Sequence, residues 1–431
     1  MEDVQDEPLA AERVAGIDIG KAMVMATIRV PGAVAGGRRR AETREFATTR
    51  QGLLALAAWL REWDVERAGM ESTSNYWKPV LFTLEREGIE CLLYLASRVK
   101  AMPGRPKTDK LDSAWLARLT EQGAVPGSFI PPEPIRVLRS HTRYRRHLVQ
   151  DRTAEKQRVE KLLEEAHLKL SCVLTDIHGK SGRAMLEAII AGERDPQVLA
   201  GLALGRARRK AAQLREALDC TFFTSDHAWL LQVMLARIDQ YTAEIAQLTT
   251  RIGELCQPWE RQLAQLATIP GFSERTAQDL IAETGVDMTR FPTAAHLASW
   301  ARQAPAVSES AGHRKNKGTG RGNPYSGGTL GEAATAASRT QTFLGARYHR
   351  LIRHMPKAKA QRAIMRAILV ITWHLLSDPE ATYNDLGHDY YDRHDDEHRK
   401  ARHHARALER LGYTITITRQ DDATTPGARA S

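Results

Sequence analysis

Cysteine is scarce in this chain. The four residues, Cys91, Cys172, Cys220 and Cys256, are far apart and form no CxxC pair. Zinc ribbons and fingers are thereby disfavoured, and the thiols read as buried or idle groups in a reducing cytosol. Long apolar runs are also lacking. The longest, Ala367 to Leu376, is too short to span a bilayer and carries His374. The opening residues, MEDVQDEPLAAER, have neither the basic nor the apolar region of a signal peptide. A cytoplasmic protein without a membrane partner is therefore expected. Acid is in deficit, since 62 Lys and Arg face 52 Asp and Glu for a formal net charge of +10. That excess favours a polyanionic partner, although it is weak evidence alone. Hydrophobic residues make up 42% and charged residues 26%, which is a globular rather than a disordered composition.

What is present begins with GIDIGKAMVMATIRV, Gly16 to Val30, read as a buried strand that delivers Asp18 to a surface. RRRAETREFATT predicts one or two further strands of an antiparallel meander. Gln51 to Trp63 has helical spacing, Glu66 to Ser72 reads as a strand ending at Glu71, and Asn75 to Glu87 as a second helix. Ile89 to Ala96 is a strand covered on both faces, and KTDKLDSAWLARLTEQG is a helix that stops at Gly123. Strands first and then alternation fits a ribonuclease H-like layout, an α/β domain with helices on both faces of a sheet.

The proline-rich FIPPEPI, Phe129 to Ile135, predicts a domain boundary. Beyond it lie a long Arg-rich helix from Ile135 to about Leu170, and shorter helices to Phe223 that include the basic GRARRKAAQLR. Trp229 to Leu255 then carries a seam at Leu231, Met234, Ile238, Tyr241, Ile245, Leu248, Ile252 and Leu255. The spacing alternates three and four, as in a coiled coil, or equally in one helix of an intramolecular bundle. LATIPGFSERTAQDLIAETG reads either as a helix-hairpin-helix whose turn, at Gly271, would present backbone N–H groups to a DNA phosphate, or equally as a plain helical corner. Gly312 to Gly331 reads as a basic glycine-rich loop, followed by helices from about Gly331 to Arg353 and Lys357 to Leu376, with a strand at YTITIT in the polar tail. The expected divisions are a lead-in at 1–12, the α/β domain at 13–128, a helical and coiled-coil region at 129–262, a mainly helical C-terminal domain at 263–377 and a tail at 378–431.

Four acids could carry chemistry. Asp18 and Glu71 lie on strands, while Asp109 and Asp112 share one face of a helix. Hard oxygen donors from several elements suit Mg²⁺ that also binds phosphate, and two such ions would serve the attacking and leaving oxygens. Each acid taken singly also reads as an ordinary surface carboxylate. In SESAG, Ser310 adjoins a loop whose Arg314, Lys315, Lys317 and Arg321 supply positive charge, so a phosphoserine linkage is conceivable there. Ser308 and Ser326 lie in the same stretch, and chemistry alone does not choose among them. The helix bearing Arg136, Arg139, Arg143, Arg146 and Arg152 reads either as a solvated charged face or as a phosphate-tracking surface. His388, His394, His398, His403 and His404 fit no standard metal spacing and read as solvated.

Together these features resemble the DEDD insertion-sequence transposases, the bridge-RNA-guided serine recombinases of the insertion-sequence one-ten family. GIDIGK matches the family's first acidic strand, GMESTSNYW its glutamate motif and KTDKLDSAWLA its paired-aspartate helix. IPGFSERTAQDLIAETG, RFPTAAHLASWARQAP, SAG and GRGNPYSGGTLGEAA resemble its C-terminal domain. Glu309 precedes the serine where glutamine is common, and His313 stands where lysine is common. The resemblance implies a RuvC-like domain, a coiled coil and a helical transposase domain. It assigns Asp18, Glu71, Asp109 and Asp112 as ligands of Mg²⁺ or Mn²⁺, and Ser310 as nucleophile. It further implies donor and target DNA and a noncoding bridge RNA as partners, in a dimer or tetramer associated with the bacterial nucleoid. The carboxylates and the serine would then be two halves of one composite site. The competing expectations are a RuvC-like junction endonuclease without serine chemistry and a non-catalytic nucleic-acid scaffold.

Overall fold

The computed structural model describes residues 9–32, 38–102, 109–310, 313–317, 320, 322–394 and 405–416. The chain forms two compact units that divide between Ile130 and Pro131, inside the proline-rich segment.

In the first unit, strands β1 (Val14–Ile19), β2 (Met23–Val30), β3 (Arg40–Ala47), β4 (Arg67–Glu71) and β5 (Glu90–Tyr94) form one sheet in the order β3-β2-β1-β4-β5. The first three strands are an antiparallel meander, and β4 and β5 add in parallel. Helices α1 (Arg50–Glu62), α2 (Trp77–Arg86), α3 (Ala96–Ala101) and α4 (Asp109–Gln122) complete the unit. Strand side chains alternate between faces. Ala15, Ile17 and Ile19 of β1 join a core with Leu53, Leu56 and Leu60 of α1 and Val80, Leu81 and Leu84 of α2. On the opposite face Leu116 and Leu119 of α4 pack against Tyr94.

The stretch from Gly16 to Val30, expected as one strand, is instead a hairpin. Gly20 N–H donates to the carbonyl of Met23 at 3.0 Å, which closes a tight turn between β1 and β2. Both strands are largely buried on both faces, so the sequence shows no polar break beyond Gly20 and Lys21.

Among its described residues, the second unit is helical apart from one hairpin. Helix α5 (Glu133–Glu165) is followed by α6 (Leu170–Val173), α7 (Lys180–Ile190), α8 (Pro196–Gly201), a 3-10 turn at Gly205–Lys210, α9 (Ala211–Ala217) and α10 (Ser225–Cys256). Next come α11 (Glu260–Ala267), α12 (Glu274–Thr284), α13 (Ala294–Trp300), β6 (Ala306–Ser310), β7 (His313–Lys317), α14 (Pro324–Ala337), α15 (Phe343–Leu351), α16 (Lys357–Ser377) and α17 (Tyr390–His394). Helices α5 and α10, with 33 and 32 residues, run about 50 Å each at 1.5 Å per residue. They are antiparallel. Arg152 Nη1 donates to Thr242 Oγ1 at 3.2 Å, while Val159, Leu162 and Leu163 share a core with Leu231, Leu235 and Ile238. The seam read on α10 is thus met by α5 of the same chain. Leu231, Ile238 and Ile252 are buried, and Tyr241, Ile245 and Leu248 are half-buried.

Two further expectations change. Helix α14 begins at Pro324, inside the segment read as a loop, and ends at Ala337 rather than running on to Arg353. Asn323 caps it by accepting from Tyr325 N–H at 2.9 Å, with proline at the first helical position where no N–H is missed. In the tail, Tyr413–Thr416 is irregular rather than a strand, and the last two residues of YTITIT lie outside the described residues.

Candidate active site

Parallel register brings two of the acids together. β1 and β4 pair Val14 with Arg67 and Ile17 with Met70, so the next step along the ladder sets Asp18 level with Glu71. Adjacent strands lie about 4.8 Å apart, and residues at equal register share a face. Both carboxylates are half-buried, and they sit on the face that α4 covers.

Glycine makes that cover possible. Gly16 pairs with Gly69, and together they leave a bare track across the sheet. A Cβ on Gly16 would fall 2.1 Å from the Ala117 nitrogen and 2.2 Å from the Ser113 oxygen. One on Gly69 would fall 2.0 Å from Thr120 Oγ1. Three polar ties hold α4 there. Thr27 Oγ1 bonds both Thr43 Oγ1 at 2.8 Å and Ser113 Oγ at 2.7 Å. Tyr94 O–H donates to Thr120 Oγ1 at 2.9 Å, and burial raises the tyrosine pKa. Glu121, buried near the helix C-terminus, pairs with Arg29 at 3.0 Å and Arg39 at 2.6 Å.

These ties also fix the helix direction. Arg29 is level with Val14, and Ala10 N–H donates to the Glu121 carbonyl at 2.9 Å, so the C-terminal end of α4 lies toward the start of β1. Its N-terminal end therefore lies toward Asp18. Asp109 to Ser113 is about 6 Å of helix and Gly16 to Asp18 about 7 Å of strand. The first turn, with half-buried Asp112, thus reaches the level of Asp18 and Glu71. The partial positive charge of a helix N-terminus favours carboxylates in that position. Asp109 opens α4, and its side chain lies outside the described residues. The donors of Asp18, Glu71 and Asp112 are all oxygen, which suits Mg²⁺, Mn²⁺ or Ca²⁺ and disfavours soft metals. Each already interacts with a neighbouring group, and among the described residues no three His, Cys, Asp or Glu side chains close around one point.

Ser310 ends β6 at the tip of the hairpin, where it pairs with His313. Arg314 lies across from Glu309, Lys315 from Ser308 and Lys317 from Ala306. Arg321 lies outside the described residues. A Cβ on Gly322 would meet the Ala301 oxygen at 3.0 Å, so only a bare backbone passes the end of α13. The next residue, Asn323, donates Nδ2–H to Glu283 Oε2 at 2.5 Å. Glu283 is only 2% exposed and also takes both donors of Arg143 at 2.8 Å.

Most of the α5 arginines offered as phosphate contacts are spent inside this network. Arg139 donates to the carbonyls of Ala282 at 2.8 Å and Glu283 at 2.7 Å, satisfying the C-terminal end of α12. Arg143 chelates Glu283 and lies 4.3 Å over the Tyr325 ring. Arg146 donates to the Tyr325 carbonyl at 3.1 Å and crosses Gly328, where a Cβ would meet it at 1.9 Å. Arg136 donates to the Pro131 carbonyl at 3.0 Å, and Arg152 reaches Thr242. Fully buried Arg145, on the same helix, holds Gln278 at 3.2 Å and Asp279 at 2.8 Å. Gly271 adopts φ +86°, and its Cβ position is filled by α14, 2.5 Å from the Ala333 oxygen. The sharp turn between α11 and α12 therefore serves packing. Of the tail histidines, His398, His403 and His404 lie outside the described residues, as does the side chain of His394. The sequence reading missed Glu283, Asn323 and the Gly16–Gly69 track. NPYSGG held a cap-and-proline signal, whereas a buried glutamate in AETG looked like any exposed helical acid.

Residues 15–168 match the DEDD transposase model of the IS110 family, described as a transposase. Residues 263–349 match the model described as the transposase IS116/IS110/IS902 family. No curated protein matches the chain. Among solved structures, the chain is similar to T. thermophilus RuvC in complex with Holliday junction substrate, at 15% identity and a TM-score of 0.19, covering 25% of this chain and 90% of that one. It is also similar to a second Thermus thermophilus RuvC structure, at 14% identity and a TM-score of 0.21, covering 27% and 99%. The class that the family matches define is a DNA-processing enzyme. More narrowly, the chain carries IS110-family transposase domains, one spanning the carboxylate sheet and α5 and the other spanning the Ser310 hairpin. Among the described residues no helix is long and apolar enough to cross a membrane.

Proposed function

We propose that the chain is a transposase that cuts and rejoins insertion-sequence DNA through a phosphoserine intermediate, using a divalent-metal site on the first unit. The observation that carries the metal half is the register that sets Asp18 level with Glu71, with the first turn of α4 on the same face. Asp18, Glu71, Asp112 and Asp109 would hold the cation, with Mg²⁺ or Mn²⁺ favoured by the oxygen-only donors. When bound, the ion supplies Lewis-acid polarisation of a phosphodiester. The chain's own residues do the rest. The Gly16–Gly69 track and the Thr27, Thr120 and Glu121 ties hold the carboxylates in place. Ser310 Oγ attacks phosphorus, so that a serine–phosphate bond forms as the bond to the deoxyribose oxygen breaks. The leaving oxygen takes up a proton, and the serine proton passes to solvent or a base. Rejoining reverses these steps and conserves the bond energy. Arg314, Lys315, Lys317 and Arg321 supply charge beside the serine, whereas the turn at Gly271, packed against α14, is left out of the DNA contacts.

A noncoding RNA that pairs with donor and target DNA, and an oligomeric assembly, complete the proposal. Both rest on the resemblance of the motifs to bridge-RNA-guided recombinases. The decisive experiment compares Ser310→Ala with the unaltered chain on a donor and target DNA pair supplied with RNA from the element's end. Loss of strand exchange with retained DNA binding is expected. If exchange persists, the serine role is wrong; if the unaltered chain only hydrolyses DNA and rejoins nothing, a RuvC-like endonuclease takes its place.

A further inference from the structure

Residues 169–262 lie between the two family-matched segments, and neither match assigns them a task. Their first part, α6 to α9, is a built module rather than a linker. Leu170, Leu186, Ile189, Leu199 and Leu214 are buried in a core completed by α5 and α10. Its surface is unevenly charged. Between Gly205 and Arg215 there are five basic residues and no acid.

Two of those cations hold the 3-10 turn in shape. Arg208 Nε donates to the Ala203 carbonyl at 3.1 Å and Lys210 Nζ to the Val173 carbonyl at 2.6 Å. Arg206 and Arg209 are exposed and have no hydrogen bond or ion pair among the described residues. The same is true of Lys180 at the start of α7. A groove of about 360 Å³ separates the two segments, lined by Gly179, Lys180 and Ser181 on one side and Leu204, Gly205 and Ala207 on the other. Ser181 Oγ accepts from Leu204 N–H at 2.9 Å and ties the walls together. Asp176 also lines the groove, with Oδ1 held by His178 N–H at 2.9 Å. Its charge disfavours an anion inside the groove and leaves the exposed cations beside it as the contacts.

We infer that this module is an accessory clamp for the sugar–phosphate backbone of duplex DNA, with Lys180, Arg206 and Arg209 as its contacts. The inference rests on the reading that the chain acts on DNA. Lys180 on the groove and exposed Arg206 and Arg209 on the adjoining 3-10 turn, none with an ion pair among the described residues, are complementary to a polyanion and carry no sequence information. The groove lining contains no aromatic side chain on which an unstacked base could lie. Single-stranded DNA or RNA, which is bound through such stacking, is therefore the poorer fit.

The test uses the full chain with Lys180→Gln, Arg206→Gln and Arg209→Gln combined. These exposed side chains have no partner among the described residues, so far-UV circular dichroism should not change. Binding of a labelled DNA duplex is followed by fluorescence anisotropy from about 0.05 to 0.3 M salt, where each lost phosphate contact removes about 0.9 from the log–log slope. The expected slope is shallower by about 2 to 3, with roughly fivefold weaker binding per contact at about 0.15 M salt. The charge-preserving set Lys180→Arg, Arg206→Lys and Arg209→Lys should keep the original slope. An unchanged slope for the Gln variant overturns the clamp. A loss confined to an RNA oligonucleotide, with duplex binding intact, overturns the assignment to DNA. If the unaltered chain binds no duplex even at low salt, the underlying DNA reading fails and the clamp falls with it.

Discussion

Glu283 should be among the most sensitive positions in the second unit. Its carboxylate is 2% exposed, chelated by Arg143 at 2.8 Å, bonded by Asn323 at 2.5 Å and 3.6 Å from Arg139 Nε. Removing one partner of a buried ion pair costs about 3–5 kcal/mol because the other charge is left uncompensated. The Arg143 side chain is 33% exposed, so on Glu283→Ala it regains water and the cost sits at the low end, about 3 kcal/mol. Arg143→Met keeps the stem and leaves Glu283 with Arg139 and Asn323, for about 2–3 kcal/mol. If the pair acts as one unit, the double variant costs little more than Glu283→Ala alone, a coupling of about 2 kcal/mol. Urea unfolding followed by circular dichroism and tryptophan fluorescence gives these values, provided the two transitions coincide. The reasoning is refuted if Glu283→Ala costs under about 1 kcal/mol, or if the single costs add to within about 0.5 kcal/mol.

Gly16→Ala should unfold or displace the first unit, because its Cβ would lie 2.1 Å from the backbone of α4 and backbone cannot yield as a flexible side chain does. A loss of at least about 3 kcal/mol, or insoluble protein, is expected, and near-wild-type melting would contradict the seating of α4. Asp18→Asn should leave melting almost unchanged yet lower metal-dependent strand cleavage on the order of 100-fold or more, read by gel with Mg²⁺ or Mn²⁺. Activity within a few-fold of the unaltered chain would remove Asp18 from the site. Burial pushes the Cys91 thiol up to about 12 and the Cys256 thiol up to about 11, and that of Cys220 is also raised. Raised thiols stay protonated and unreactive at pH 8, so brief alkylation followed by mass spectrometry should label exposed Cys172 first. Equal labelling of Cys256 would contradict its burial beneath α5.

The first unit was legible because its signals are local. The helices read at Gln51–Trp63 and Asn75–Glu87 fall within two residues of α1 and α2, and the strands ending at Glu71 and near Tyr94 are where the motifs put them. The fold order followed from apolar periodicity, and the metal reading from acids at the ends of those elements. What stayed hidden there depends on contacts across the sheet. Nothing local marks Gly16 and Gly69 as partners, since each is one glycine in a different strand and the track exists only once parallel register aligns them. The turn at Gly20 was hidden for the opposite reason, because both flanking strands are buried and the apolar run continues through it.

Charge was the least legible property, and the second unit shows why. The arginines of α5 recur around the helix in a manner that fits a phosphate-tracking surface. Four of them, Arg139, Arg143, Arg145 and Arg146, instead bind α12 or the start of α14, 133 to 179 residues away along the chain. An Arg-rich helix and a solvated cationic face look alike until the distant acceptors are known, and Glu283, Asp279 and the Tyr325 carbonyl lie far outside any local window. GRARRK differs in a way that topology exposes. Its turn uses Arg208 and Lys210 on nearby carbonyls of its own module and leaves Arg206 and Arg209 without an acceptor among the described residues. The formal charge of +10 therefore overstates how much of α5 is available to a polyanion. The salt dependence of DNA binding should accordingly respond more to neutralising Arg206 and Arg209 than to Arg139→Met and Arg143→Met, which should lower stability first. Titrating both pairs against the same duplex separates the two roles, and equal slopes would show that the buried and exposed arginines have been sorted wrongly.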